Sequence, residues 1–222
     1  MSRHLVRINA PRTWKIPRKT FVFITKPRGS HKTSMGLPLL TILRDILQYV
    51  KTSAEAKKVV QNEEILVDGK RVKDTKRIIG LFDILSIQKL KENYRIYINK
   101  KGKIALQKTS DNIKPCKIIG KTLVNGKVQL NLYDGSNFFA DNSYKVGDTV
   151  VLETLSKKIL HHFKLEKGSV VYIMGGNHLG DFGIVESVSG SNILCRNNEG
   201  QVFVMPKYYA FVIGKDKAVI TI

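Results

Sequence analysis

Five histidines, two cysteines and one glycine-rich run are the parts of this 222-residue chain whose types could do chemistry. His161, His162 and His178 could ligate a metal or relay a proton, yet no cysteine or carboxylate accompanies them at ligand spacing, so they read as surface or packing residues. Cys116 and Cys195 are isolated in apolar neighbourhoods, which suits inert core thiols and neither a disulfide framework nor a zinc site. The run from Gly175 to Gly183 invites comparison with a phosphate cradle. It lacks the Lys-Ser/Thr ending of a P-loop, lies between two strand-like segments and contains Asp181, which would repel phosphate, so a hairpin turn is the better reading. Asp83 and Asp134 fall in turn-rich contexts and read as structural. No nucleophile, base and oxyanion donor can be assembled, and the chain reads as a non-enzyme with no cofactor, no metal and no small-molecule substrate.

What remains is charge. The chain carries 38 Lys+Arg against 18 Asp+Glu, a formal net charge of +20. Residues 1–44 hold ten basic residues and no acid, since Asp45 is the first carboxylate; residues 161–222 are nearly neutral, with six basic to five acidic. A segment without counter-charge repels itself unless a polyanion neutralises it, and nucleic acid is the expected partner. With 42% hydrophobic residues the composition is globular. The longest stretch free of charge, Gly168 to Gly180, covers 13 positions, short of the roughly 20 a membrane helix needs. No membrane partner is expected. The N-terminus has no apolar segment behind its charges, no glycosylation sequon occurs and cysteine is scarce, which fits a reducing cytoplasmic location.

The elements that must position these charges follow from pattern. Residues 1–36, with two prolines among scattered cations up to Lys19, read as an extended basic arm, disordered when free and ordered on binding. Leu39, Leu40, Leu43, Ile46, Leu47 and Val50 recur at spacings of three and four, which predicts an amphipathic helix. Thr52-Ser53-Ala54-Glu55 is a capping-box pattern opening a second helix. Ile65 to Val72 predicts a hairpin about Asp68-Gly69. After Leu90 short strands alternate with turn dipeptides at Lys101-Gly102, Asn125-Gly126, Asp134-Gly135 and Gly147-Asp148, which implies small barrels or sandwiches. The expected fold is α+β: an arm over 1–36, a two-helix and hairpin module over 37–92, a central β domain over 93–165 and a second β module over 166–222. On the helical module Arg44, Lys51, Lys57 and Lys58 lie on or beside the polar face, and Lys70 and Arg71 leave the hairpin turn. They are either a solvated face or, joined to the arm, a surface that follows a phosphate backbone. Trp14, between Arg12 and Lys15, suits stacking on an unpaired base or anchoring the arm in an apolar groove of its own protein.

Thr52 to Val60 running into Ile65 to Lys70 resembles the small RNA-binding module of bacterial small-subunit ribosomal protein four. Arg3-His4-Leu5, Ala10-Pro11-Arg12-Thr13-Trp14, Leu43-Arg44-Asp45, Gly80-Leu81-Phe82-Asp83, Leu132-Tyr133-Asp134-Gly135, Lys145-Val146-Gly147-Asp148-Thr149 and Phe211-Val212-Ile213-Gly214-Lys215 extend the likeness to the archaeal and eukaryotic type of that protein over essentially the whole chain. The segment from Pro27 to His31 departs from the Pro/Gly-richer one of that family, and the chain stops soon after Lys215, which suggests an archaeal or reduced member. The resemblance implies a structural rRNA-binding protein of the small subunit, in contact with neighbouring ribosomal proteins, whose last β module is an SH3-like KOW domain. It implies RNA contacts by Arg3, His4, Arg7, Arg12, Trp14, Lys15, Arg18 and Lys19 and, on the module, by Arg44, Lys51, Lys57, Lys58 and Arg71; the basic character of the arm adds Lys26, Arg28, His31 and Lys32 as candidates, and the hairpin turn adds Lys70. Competing classes are an RNA-modifying enzyme of the pseudouridine-synthase kind, which needs a catalytic domain after residue 90, and a KOW transcription factor, which would leave the basic arm without a role.

Overall fold

The computed structural model describes residues 4–62, 65–197, 199–215 and 218–220. The chain divides into two compact units, Met1–Ile98 with Gly102–Ser110, and Asn99–Lys101 with Asp111–Ile222.

The first unit begins with β1 (Leu5–Val6) paired antiparallel with β2 (Phe23–Ile24). β3 (Gly36–Pro38) leads into α1 (Leu39–Thr41), which continues as a π turn over Ile42–Ile46. The predicted amphipathic helix is therefore shorter than its leucine spacing suggests. Leu39, Leu40, Thr41, Ile42 and Leu43 are all buried, so the first five residues of the segment carry no polar stripe of the kind a longer surface helix shows. Leu47 N–H bonds the Ile42 carbonyl at 2.9 Å, and Gln48 at φ 53° ends the winding. α2 (Ser53–Asn62) opens on the expected capping box. Glu55 N–H donates to Thr52 Oγ1 at 3.2 Å, while Glu55 Oε2 accepts the N–H groups of Lys51 and Thr52 at 2.9 and 3.3 Å. Those bonds hold the Glu55 carboxyl below its usual range.

β4 (Ile65–Val67) and β5 (Lys70–Arg71) form the hairpin, with Asp68 and Gly69 both at positive φ, as a type I′ turn requires. β6 (Ile78–Gly80) pairs with β3, and β7 (Ile84–Ile87), β8 (Glu92–Ile98) and β9 (Ile104–Lys108) complete a five-stranded sheet in the order β5-β4-β7-β8-β9. This moves the expected boundary at residue 92/93. Tyr94, Ile96, Ile98 and Ile104 are buried in the first unit, because β8 pairs with β7 along Ile84 to Ile87 and then with β9.

The second unit holds two antiparallel five-stranded sheets. β10 (Ile113–Val124), β11 (Lys127–Leu132), β12 (Asn137–Phe139), β13 (Thr149–Glu153) and β14 (Ile159–Phe163) lie in the order β12-β11-β10-β13-β14 around a core of Cys116, Ile118, Leu130, Leu132, Val150 and Leu152. β15 (Ser169–Ile173), β16 (Phe182–Ser189), β17 (Asn192–Asn197), β18 (Val202–Pro206) and β19 (Ala210–Lys215) lie in the order β18-β17-β16-β15-β19 around Val171, Ile173, Val185, Ile193, Cys195 and Val212. The architecture is thus mostly β with few helices, more so than an even α+β mixture.

Two buried lysines of this unit are structural. Lys114 Nζ lies 3.0 Å from Asp134 Oδ2; burial alone would raise that carboxyl, but the Lys114 charge and the hydrogen bonds from Lys114 and Ser136 together hold it below its usual range. Lys117, 4% exposed, donates to the carbonyls of Lys207, Tyr208 and Ala210, tying β10 to the start of β19 and the turn before it. Burial pushes its ammonium down from 10.5 to about 8. Below that value both folded and unfolded chains hold the proton and the folded chain bears the cost of a buried charge. Through the window up to the ordinary value the unfolded chain keeps a proton that the folded chain has released, so stability rises with pH. Relative to Lys117→Met, the wild type should gain on the order of 2 kcal/mol between about pH 7.5 and 9.5 in denaturant titrations. A difference flat with pH would mean a solvated Lys117.

Candidate nucleic-acid interface

The arm is not free. Residues 4–36 are folded onto the first unit, which corrects the expectation of a disordered segment. Trp14 is 1% exposed, and its indole N–H donates to the Thr33 carbonyl at 2.9 Å. Just before it in sequence, Thr13 Oγ1 donates to the Ser34 carbonyl at 2.7 Å, and the Thr13 carbonyl accepts the Ile104 N–H at 2.8 Å. Of the two roles open to Trp14, this structure realises the anchor, and a base has no face to stack on. Arg7 is buried as well, its Nη1 donating to the Pro17 carbonyl at 2.8 Å and its guanidinium 5.6 Å from the Phe21 ring centre. His31 is buried with its Nε2 3.0 Å from Asp83 Oδ2. Arg7, Trp14 and His31, expected as RNA contacts, are thus all three enclosed by protein in this structure. Arg18 is half-buried and laces the arm to itself through the carbonyls of Ile8, Ala10 and Pro11.

The remaining cations of the arm face outward. His4, Arg12, Lys15, Lys19, Lys26, Arg28 and Lys32 are exposed, while Arg3 lies outside the described residues. On the module, Lys51, Lys57, Lys58, Lys70 and Arg71 are exposed, Lys57 and Lys58 from α2 and Lys70 and Arg71 from β5. Arg44 is partly buried and neutralised by its neighbour, with Nε and Nη2 each 2.9 Å from an Asp45 oxygen. The structure thus separates the candidates by exposure: twelve are exposed, Arg71 among them with Nη2 donating to the Gln61 carbonyl at 3.2 Å, and five are buried or partly buried.

The sequence reading passed over two groups. Phe21, Val22 and Phe23 are consecutive and 73%, 66% and 56% exposed. They sit between Lys19 and Lys26, an aromatic and cation interleaving of the sort that pairs with unstacked bases. Lys73, Lys76 and Arg77 are also exposed. In the second unit the loop from Gly175 joins β15 to β16 as a hairpin, Gly180 N–H bonding the Ile173 carbonyl at 2.9 Å. A cleft of about 290 Å³ there is lined by His178, Phe203, Met205 and Tyr209, with His178 stacked on Phe203 at 4.2 Å. Among the described residues no group of three or more His, Cys, Asp or Glu could hold a metal ion, and no helix is long and apolar enough to cross a membrane.

Fold and surface define a class: a basic, mostly β chain with exposed cations on the surface of its first unit and buried charges paired within the fold. Residues 90–159 match the model of Ribosomal family S4e, and residues 1–34 match that of the RS4NT (NUC023) domain. The "Small ribosomal subunit protein eS4" of Methanocella arvoryzae is 41% identical over 222 residues, which cover 96% of this chain and 94% of that protein. The protein of the same name from Archaeoglobus fulgidus is 40% identical, with 98% and 97% covered. A crystal structure of the 30S ribosomal protein S4e from Thermoplasma acidophilum superposes with a TM-score of 0.69 at 32% identity, covering 82% of this chain and 95% of that one. The chain belongs to the S4e family of ribosomal proteins.

Proposed function

We propose that this chain is a structural constituent of the small ribosomal subunit, binding its rRNA and neighbouring ribosomal proteins in the cytoplasm. The observation that carries this reading is likeness to eS4 proteins over nearly the whole length of both chains. It leaves the pseudouridine-synthase and transcription-factor readings without support. The exposed cations of the arm and of α2 and β5 are the proposed contacts with rRNA phosphates, and Phe21 and Phe23 those with unpaired bases. Residues 37–108 form the RNA-binding module, the β10 to β14 sheet the central β domain and the β15 to β19 sheet the KOW module. The near-neutral charge of that last segment favours a protein neighbour at its loop.

Neutralising rRNA phosphates releases condensed counterions, so association depends steeply on salt. The test is sedimentation of cell lysate through sucrose gradients at low and high salt, following the chain by antibody. Quantitative co-migration with the small subunit that survives moderate salt is expected, and migration as a free protein would overturn the reading. In the same gradients Lys57→Glu with Lys58→Glu should lower occupancy of the subunit while the melting temperature stays unchanged.

A further inference from the structure

We infer that Arg28 and Arg77 form a two-arginine clamp on a single RNA phosphate, an inference that rests on the proposed rRNA binding and adds to it a specific anion site. The two residues are far apart in sequence and meet as partners in an isolated parallel β-bridge. Arg28 N–H donates to the Lys76 carbonyl at 2.8 Å, and Ile78 N–H donates to the Arg28 carbonyl at 2.8 Å. Partners in such a bridge point to the same side of the ladder with backbones about 5 Å apart. The approach is close: a Cβ on Gly29, at φ +144°, would lie 2.5 Å from Ile78 Cγ2.

Both arginines are exposed, as are Lys73 and Lys76 beside them. Among the described residues none of these four side chains has an ion pair or hydrogen bond. The carboxylate nearest in sequence, Asp74, accepts the Lys76 N–H at 2.8 Å and closes the turn. Like charges directly opposite across a ladder destabilise it, and here the backbone bonds hold them together without a counter-ion. Two planar guanidinium forks on one side suit the oxygens of one phosphate diester, each able to donate in pairs. Lys73 and Lys76 add an unspecific field around that point.

The test uses the full chain and purified small-subunit rRNA of Methanocella arvoryzae as the probe, titrated at several potassium chloride concentrations. Arg28→Gln and Arg77→Gln should each weaken binding about tenfold, and the double variant should fall well short of the hundredfold that independent contacts would give. The slope of log affinity against log salt should drop by about one in the double variant, where two separate phosphates would remove about two. Melting temperatures should stay level or rise as the repulsion is relieved. Unchanged binding, multiplicative losses, or a melting temperature that falls with affinity would overturn the clamp. Failure of the wild type itself to bind this rRNA would instead overturn the proposed function, and the clamp with it.

Discussion

Trp14→Ala is expected to destabilise the first unit by about 3–5 kcal/mol, the range for emptying a large aromatic site from a packed core. The indole is 1% exposed and its N–H is satisfied by the Thr33 carbonyl, so truncation both opens a cavity and removes that hydrogen bond. Trp14 is the one tryptophan of the chain, which gives a direct reading. Its emission should be that of a buried indole in the free protein, should shift to the red on urea unfolding, and should not be quenched when rRNA is added. The stability difference itself is measured by circular dichroism, with Trp14→Phe expected to lie between wild type and Trp14→Ala. Strong quenching by RNA together with a small stability change would restore the stacking role. The same burial means that cutting away residues 1–32 removes parts of the core and is no clean test of affinity.

Local signals were legible in the sequence because their physics is local. The Asp68-Gly69 and Asn125-Gly126 turns take positive φ at both residues, and the Thr52/Glu55 box closes as written. The hairpin reading of the Gly175 to Gly183 loop follows from the same residues that argued against a P-loop, and Cys195, buried and pushed up to about 11 by burial, is the inert thiol expected. Non-local partners were not legible. Nothing near Glu92 announces that β8 belongs with β7 and β9, since a strand's own residues do not name the neighbours that complete its hydrogen bonds. For the arm, composition counted charges and could not count carbonyls. Arg7 and Arg18 are held by backbone oxygens of Pro17, Ile8, Ala10 and Pro11, so these two arginines of an acid-free segment are held in the fold by carbonyls. The leucine run of 39–50 misled in the opposite direction, because consecutive buried positions at Ile42 and Leu43 break the stripe that spacing alone implied.

The buried pair of His31 and Asp83 carries the second large effect. Asp83 Oδ2 accepts the Gly80 N–H at 2.8 Å and lies 3.0 Å from His31 Nε2, and both side chains are almost wholly enclosed. The imidazole lies flat against Gly80, where a Cβ would fall 2.2 Å from Nδ1. Asp83→Ala strands a backbone donor and a ring nitrogen away from water, and removal of one partner from a buried pair costs about 3–5 kcal/mol. Asp83→Asn keeps an acceptor for Gly80 and loses only the charge, so it should cost less. In a His31→Ala background the penalty for Asp83→Ala should shrink, since part of it is the orphaned imidazole. Urea titrations of the four variants of that cycle give the coupling, and a penalty of less than about 1 kcal/mol for Asp83→Ala would show that water reaches the site. The consequence reaches the proposed interface without touching RNA: His31 lies between Arg28 and Lys32, and the pair fixes that stretch of the arm beside β6. Asp83 variants should therefore weaken rRNA binding in proportion to their loss of stability and leave the salt slope unchanged, whereas the Arg28 and Arg77 variants should change the slope and leave stability alone.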